Sequence, residues 1–251
     1  MTKANNSLAK MLALLEAFTP ERHVWTVDDL ATKFGYTQPS TYRYVRELCK
    51  AGLIVRMPGG EYVVGARIVE LDTLIAETDP LAKVFMPMMK EVSGFFGCHA
   101  LLSNVYGEHL INVTHIRGST DIDLAFVRGR RLPWFRGSTS NAILAWLPRK
   151  RVRNLFDNHF EGERSKENWK LVLGKLKEVS NQGYSVSEGE LQDDVIGIGA
   201  PVIVEGEVLG SVSLVFSREH GEFIDRPAVG AFLKDKCEEC GRLVINATAT
   251  K

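Results

Sequence analysis

Arg43 and Arg46 carry the side chains best suited to reading nucleic acid in this chain, because a guanidinium fork matches guanine edges and phosphate oxygens. At about 100° per residue, a helix starting after Thr37 places Pro39, Tyr42, Arg43 and Arg46 on one face, flanked by Ser40 and Glu47. Thr41, Val45 and Leu48 share the opposite face. The Ser40 and Tyr42 hydroxyls can reach backbone oxygens. Gln38, Thr41 and Arg56 complete the candidate DNA-contacting set. The plain alternative is a solvated helix face that happens to carry two arginines.

Other reactive residue types are scattered. Cys237-Glu238-Glu239-Cys240 is the single CxxC among four cysteines, in a helix-like segment. Without a second pair for zinc or the strand-turn context of a redox site, these are expected to be helix thiols. Of six histidines, His109 and His115 have the same parity on one apparent strand, but no HxH or HxxxH pair supports a metal site. Glu188, Glu190, Asp193 and Asp194 gather carboxylates that could serve acid–base chemistry. No nucleophile elbow, phosphate loop or metal constellation accompanies them. The chain is therefore read as not an enzyme, with no catalytic residue, cofactor or metal, and small-molecule processing remains the rival reading.

The arginine face needs a scaffold, and Trp25 to Gly65 supplies one. The stretch reads as two short helices, a tight turn, a third helix and a β-hairpin, the layout of a winged helix-turn-helix. Thr26 followed by Asp29 suits a helix start, and Val27, Leu30, Ala31 and Phe34 form a buried stripe that Gly35 ends. Thr37 can cap the next helix, Pro39 is tolerated in its first turn, and Gly52 closes it. Leu53-Ile54-Val55 and Tyr62-Val63-Val64 flank Pro58-Gly59-Gly60, a hairpin wing. Winged helices also serve as protein-binding modules, so an interaction module without specific DNA affinity is a further alternative.

Arg67 to Asp79 reads as a linker helix, followed by a helix around Leu81–Phe95 that Pro87 kinks or bounds. Strand-like segments follow at Ala100–Val105, His109–Ile116 and Ile122–Val127. A loop at Arg128–Ser140 precedes helices near Asn141–Trp146, Lys150–Asn158 and Lys166–Gln182. Strands return at Tyr184–Ser187, Val195–Val204 and Val208–Phe216 before a final helix of about Arg226–Thr248. This order describes an α+β sensor domain whose antiparallel strands curve around a pocket. The expected domains are 1–66, a DNA-binding unit; 67–79, the linker; and 80–251, the sensor.

Charge fits that division. The 251 residues balance 31 basic against 31 acidic side chains, but residues 1–67 hold nine basic and six acidic groups, so the N-terminal part is net +3 and the remainder net −3. A locally basic end suits docking on DNA and argues against a nonspecific nucleic-acid coat. No apolar run approaches the ~18 residues a membrane span needs, and no signal-peptide pattern is present, so a soluble cytoplasmic protein is expected.

These residues, taken in order, resemble the isocitrate lyase regulator (IclR) family of bacterial transcription factors over nearly the whole chain. The N-terminal match rests on Asp29-Leu30-Ala31, Gly35, Ser40-Thr41-Tyr42-Arg43, Leu48, Gly52-Leu53 and Tyr62-Val63-Val64-Gly65. The C-terminal match rests on Val127 through Pro133, Ala142 through Pro148, Gly183-Tyr184-Ser185-Val186 and Ile198-Gly199-Ala200-Pro201-Val202. The resemblance implies a winged helix-turn-helix joined to a GAF-like effector-binding domain, acting as a homodimer or dimer of dimers on a double-stranded DNA operator. Leu8, Met11, Leu12, Leu15 and Phe18 could then pack within the domain or pair across a dimer.

The resemblance also implies a small organic acid effector, with no membrane partner. Its carried-over positions are Trp134, Phe135, Arg136, Ser138, Thr139, Ser140, Asn141, Glu188, Glu190, Gly197, Ser213 and Val215, with Gly199 nearby. Many relatives have a small-residue run ending in Gly-Lys where this chain has Gly137-Ser138-Thr139-Ser140-Asn141, and a Cys where it has Gly197. The departures suggest an altered ligand, with an aromatic carboxylate as one candidate. Trp134 and Phe135 would form an aromatic wall, Arg136 a carboxylate clamp, and the Ser/Thr/Asn run orienting hydrogen bonds. The two strand glycines suggest a roomier pocket. Alternatively, the aromatics pack an interface, Arg136 is solvated and the hydroxyl run caps a helix.

Overall fold

The computed structural model describes residues 6–119 and 122–249, with backbone alone for 246–249, and the chain divides into two units between Thr78 and Asp79. The first unit opens with α1 (Ser7–Ala13), capped by Asn6, and a 3-10 turn at Leu14–Ala17. There follow α2 (Val27–Phe34), α3 (Gln38–Lys50), β1 (Ile54–Arg56), β2 (Tyr62–Val64) and α4 (Ala66–Thr78). Trp25 to Gly65 therefore holds two helices rather than three, and the remaining helix of the bundle is α1, upstream.

Local chemistry sets these boundaries. Thr26 Oγ1 accepts the Asp29 N–H at 3.1 Å, and Gly35 ends α2 in the left-handed region at φ +67°. Thr37 occupies the start of α3, but its hydroxyl donates to Ser40 Oγ (3.0 Å) instead of capping the backbone. Leu14, Leu30, Val45, Leu48 and Ile54 form the unit's core with Trp25 and Tyr62. Met11, Leu15 and Phe18 pack against that core, whereas Leu8 and Leu12 stay exposed.

The second unit begins with α5 (Pro80–Phe96), whose Asp79 cap accepts from Leu81 N, and Pro87 lies inside the helix without ending it. Next come β3 (His99–Tyr106), β4 (His109–Ile116), β5 (Arg131–Leu132), α6 (Gly137–Leu144), α7 (Arg149–His159) and α8 (Lys166–Gln182). The chain closes with β6 (Ser185–Glu188), β7 (Val195–Val204), β8 (Glu207–Ser217), α9 (Arg218–Gly221) and α10 (Arg226–Ala249). The strands form one curled antiparallel sheet in the order β5-β4-β3-β8-β7-β6.

Alternation along the strands divides the sheet into two faces. Ala100, Leu102, Ile198, Ala200, Val202, Val212 and Leu214 bury against Phe85 and Met89 of α5 and Leu233 of α10. The intervening residues, among them Leu101, Gly197, Gly199, Ser213 and Val215, point to the other face, where α6 lies.

Two expectations are corrected there. Ile122–Val127 is not a strand: Ile122 and Leu124 are buried with Leu101, Val195 and Val215, so the alternation marks a segment lying on the sheet face rather than pairing at its edge. Buried Asn112 anchors the end of that segment, donating from Nδ2 to the Phe126 carbonyl (2.7 Å). Helix α6 starts at Gly137, four residues before the expected Asn141, and all eight of its residues are buried. Its opening Gly-Ser-Thr-Ser has the local preferences of a loop, which packing on the sheet overrides.

Candidate nucleic-acid interface and effector cavity

Helix α3 presents Tyr42, Arg43 and Arg46 to solvent, with Gln38 exposed and Ser40 half-buried beside them. Arg43 lies over the Tyr44 ring at 5.4 Å, so its guanidinium is oriented by a ring that is itself buried. Arg46 touches Glu47 at 3.3 Å. The hydrogen bond from Lys50 holds the Glu47 carboxyl below the usual carboxylate range. Arg56 is exposed on the wing, near the turn where Gly59 and Gly60 take φ +94° and +88°.

Two members of the predicted set are otherwise engaged. Thr41 is fully buried and its hydroxyl donates to the Thr37 carbonyl, because it lies on the core side with Val45. Gln38 donates to Asp28 (2.7 Å), tying α3 to α2.

In the second unit a cavity of about 50 Å³ lies between the sheet and the start of α6. Leu101, Leu124, Phe126, Leu132, Leu191, Val195 and Val215 make it largely apolar. Ser138, Thr139, Ser187, Glu190, Gln192 and Gly197 supply its polar side. Ser213 reaches this region through a 2.6 Å hydroxyl contact with Thr139, and Ser187 Oγ accepts the Ser138 N–H at 2.9 Å.

The aromatic wall and the arginine clamp are not there. Trp134 is buried and donates its indole N–H to the Glu108 carbonyl (2.8 Å). Phe135 packs edge-on against Phe156 and Phe160, held at φ +66° in a turn that aims α6 at the sheet. Such a backbone costs about 1–3 kcal/mol unless packing fixes it, and here those rings and the Phe135 N–H to Ser140 Oγ bond (2.9 Å) do so. Arg136 points to Glu161 (2.9 Å) and to the Glu190 carbonyl, away from the cavity. Asn141 is buried outside the lining, and Glu188 pairs with Arg226 (2.9 Å) and Arg218 (3.5 Å).

The carboxylate beside the cavity belongs to Glu190. It accepts the Gly137 N–H (2.7 Å) at the positive end of α6 and pairs with Lys175 (2.8 Å). The glycines also have a different purpose from the one expected. A Cβ on Gly199 would lie 3.0 Å from the Ser138 backbone, so that glycine lets α6 approach the strand rather than enlarging a pocket. Gly197 does face the cavity.

Ser187 and the apolar residues Leu101, Leu124, Phe126, Leu132, Leu191 and Val195, together with Gln192, escaped the sequence reading. Strand parity could have found Leu101, which is two residues from His99 on the same face as Val215. The same parity places Val195 two residues before Gly197, whereas Phe126, Leu191 and Gln192 lie outside the strands.

The remaining reactive groups are structural. Burial pushes the Cys237 thiol up and the Cys98 thiol up to about 12, so neither is poised as a thiolate. His115 stacks on buried His99 with ring nitrogens 2.9 Å apart, and burial lowers its proton affinity. Among the described residues no group of three potential metal ligands is found, and no helix is long and apolar enough to cross a membrane.

The model of the IclR helix-turn-helix domain matches residues 7–58, and that of the bacterial transcriptional regulator IclR C-terminal domain matches residues 74–240. The chain belongs to the IclR family. Among relatives, the HTH-type transcriptional regulator KipR of Bacillus subtilis is 27% identical over 219 residues, covering 85% of this chain and 87% of KipR. The crystal structure of an IclR transcriptional regulator from Alicyclobacillus acidocaldarius superposes with a TM-score of 0.78 at 18% identity, covering 94% of this chain and 97% of that one. An IclR homologue from Microbacterium hydrocarbonoxydans complexed with 4-hydroxybenzoate gives 0.72 at 20% identity, covering 93% and 100%. IclR-family proteins of this kind are transcription regulators, not enzymes. The carboxylates at 188 and 190 accordingly serve ion pairs and a helix start.

Proposed function

We propose that this IclR-family regulator reads a palindromic operator through α3 and the wing, and that a small organic acid seated against α6 controls it. The observation that carries the effector assignment is the cavity itself, apolar around most of its wall and lined with hydroxyls where α6 meets the sheet. That pattern suits a ring or short chain with one polar end. The 4-hydroxybenzoate held by the Microbacterium homologue supports an aromatic carboxylate. With Arg136 turned away, Ser138, Thr139, Ser187 and Ser213 are the groups left to orient it.

Control then follows from differential affinity: an effector that prefers one arrangement of paired sensor domains biases the spacing of paired recognition helices, and one with equal affinity for both changes nothing. The test is a mobility shift of DNA upstream of the gene and its neighbours, with 4-hydroxybenzoate and short aliphatic acids added. A sequence-specific shift that an aromatic acid alters is the expected result. A shift insensitive to every acid would remove the effector assignment, and turnover of the acid would restore the enzyme reading.

The reading includes a second copy of the chain. Helix α4 buries none of its residues, yet Ile68, Val69, Leu74 and Ile75 are exposed on it, as Leu8 and Leu12 are on α1. A 13-residue helix with no tertiary burial is marginal in water, and pairing across a twofold axis would cover these side chains. Ile68→Glu combined with Ile75→Glu is expected to convert the assembly to monomers, or halve a tetramer, in light scattering, and to lower helix content as α4 loses its cover. An unchanged mass would remove α4 from the interface.

A further inference from the structure

Gln192 joins two segments that are far apart in sequence. Its Oε1 accepts the Ala125 N–H at 3.1 Å, while Nε2 donates to the Asp123 carbonyl (3.1 Å) and to Asp194 Oδ1 (2.9 Å). Each segment supplies cavity wall, Leu124 and Phe126 from one and Leu191 and Gln192 from the other. The segments also share an apolar cluster, Phe126 with Leu191.

The space of about 50 Å³ is far below the roughly 300–1,000 Å³ of ligand-sized sites. Something must yield for a ring to enter. The α6 side cannot, because the Ser138 backbone already lies against Gly199 and the helix is buried throughout. The sheet side is fixed by paired strands. The wall left to move is the one formed by the two irregular segments, and an amide on a half-buried turn fastens them together.

We propose that Gln192 is a positioning residue for effector binding, a latch that holds the cavity narrow in the effector-free protein and must release to admit the ligand. This rests on the reading that the cavity takes the effector. The latch acts on the walls, not on the ligand, so its loss speeds entry.

Hydrogen–deuterium exchange on the full-length protein tests it without any ligand. In Gln192→Ala, peptides covering 122–128 and 189–195 are expected to exchange about five- to tenfold faster, as for loss of about one net hydrogen bond, while α5 and α10 are unchanged. Gln192→Glu keeps the acceptor for Ala125 but sets a carboxylate against the Asp123 carbonyl and Asp194, so it should speed exchange at least as much. Unchanged exchange in both variants would overturn the latch. With 4-hydroxybenzoate as probe, the Gln192→Ala association rate should rise by a similar factor, with dissociation within about twofold. An unchanged association rate on a wild type that binds the probe would also overturn it. Faster exchange with no probe binding by the wild type would sustain the latch and count against the effector assignment alone.

Discussion

Arg43→Ala combined with Arg46→Ala is expected to weaken specific operator binding by at least about 100-fold, since a good guanidinium–guanine pair discriminates by roughly 1–3 kcal/mol. The fold should not notice. Arg46 is exposed, and its contact with Glu47 joins side chains that are 67% and 41% exposed, a geometry worth little in water. Arg43 is itself exposed and loses only its contact with the Tyr44 ring and hydroxyl, which Ser7 still hydrogen-bonds. A mobility shift at fixed salt, paired with a thermal melt, measures both effects. The slope of log affinity against log salt should also become shallower if either guanidinium meets phosphate. Undiminished sequence-specific binding by the double variant would remove α3 from the recognition role and favour a winged helix that binds protein.

Gly197→Val is expected to abolish the response to effector, lowering ligand affinity by more than about 100-fold, while operator binding persists. A Cβ at 197 would lie 2.6 Å from Ser138 Oγ and 3.0 Å from Ser187 Oγ. The Ser138 hydroxyl can turn away and the Ser187 hydroxyl need give only a few tenths of an ångström while it accepts the Ser138 N–H, so the strand can accept it. A β-branched side chain suits β7 and would occupy much of the 50 Å³ that remains. Calorimetry with an aromatic acid and the operator shift together decide the outcome. Unaltered ligand affinity would place the effector elsewhere. The contrast with Gly199 is instructive: there a Cβ meets the Ser138 backbone, so the same substitution should cost stability.

These two substitutions test parts of the molecule that differ in how far the sequence exposed them. The two helices of the winged module were visible because their information is local. A cap at Thr26 and a left-handed glycine at 35 bound α2, and a 3.6-residue stripe through Val45 and Leu48 with two arginines opposite marks α3. Lys166–Gln182 and Val195–Val204 were legible to the residue for the same reason, with Gly183 marking a true helix stop at φ +89°. Thr41 was misplaced in the contact set although its parity with Val45 put it in the core.

The cavity was legible only in part. Ser138, Thr139, Glu190, Gly197 and Val215 line one cavity, but Trp134, Phe135 and Arg136 turn into the α7 side of the domain and its surface. One residue of left-handed backbone at Phe135 redirects that whole run, and no propensity predicts it in a phenylalanine. Ile122 and Leu124 kept the alternation of a strand while acting as cover for a sheet face.

The sequence by itself determined the winged-helix module, the family and most of the helices and strands, because each depends on residues near one another along the chain. Tertiary structure alone decided which side chains meet across the cavity, that Arg136 serves Glu161 and Glu190, and that Gln192 fastens segments 67 and 69 residues apart in sequence. Those contacts depend on how α6 seats against β7, which the packing of the whole domain sets and no local pattern encodes.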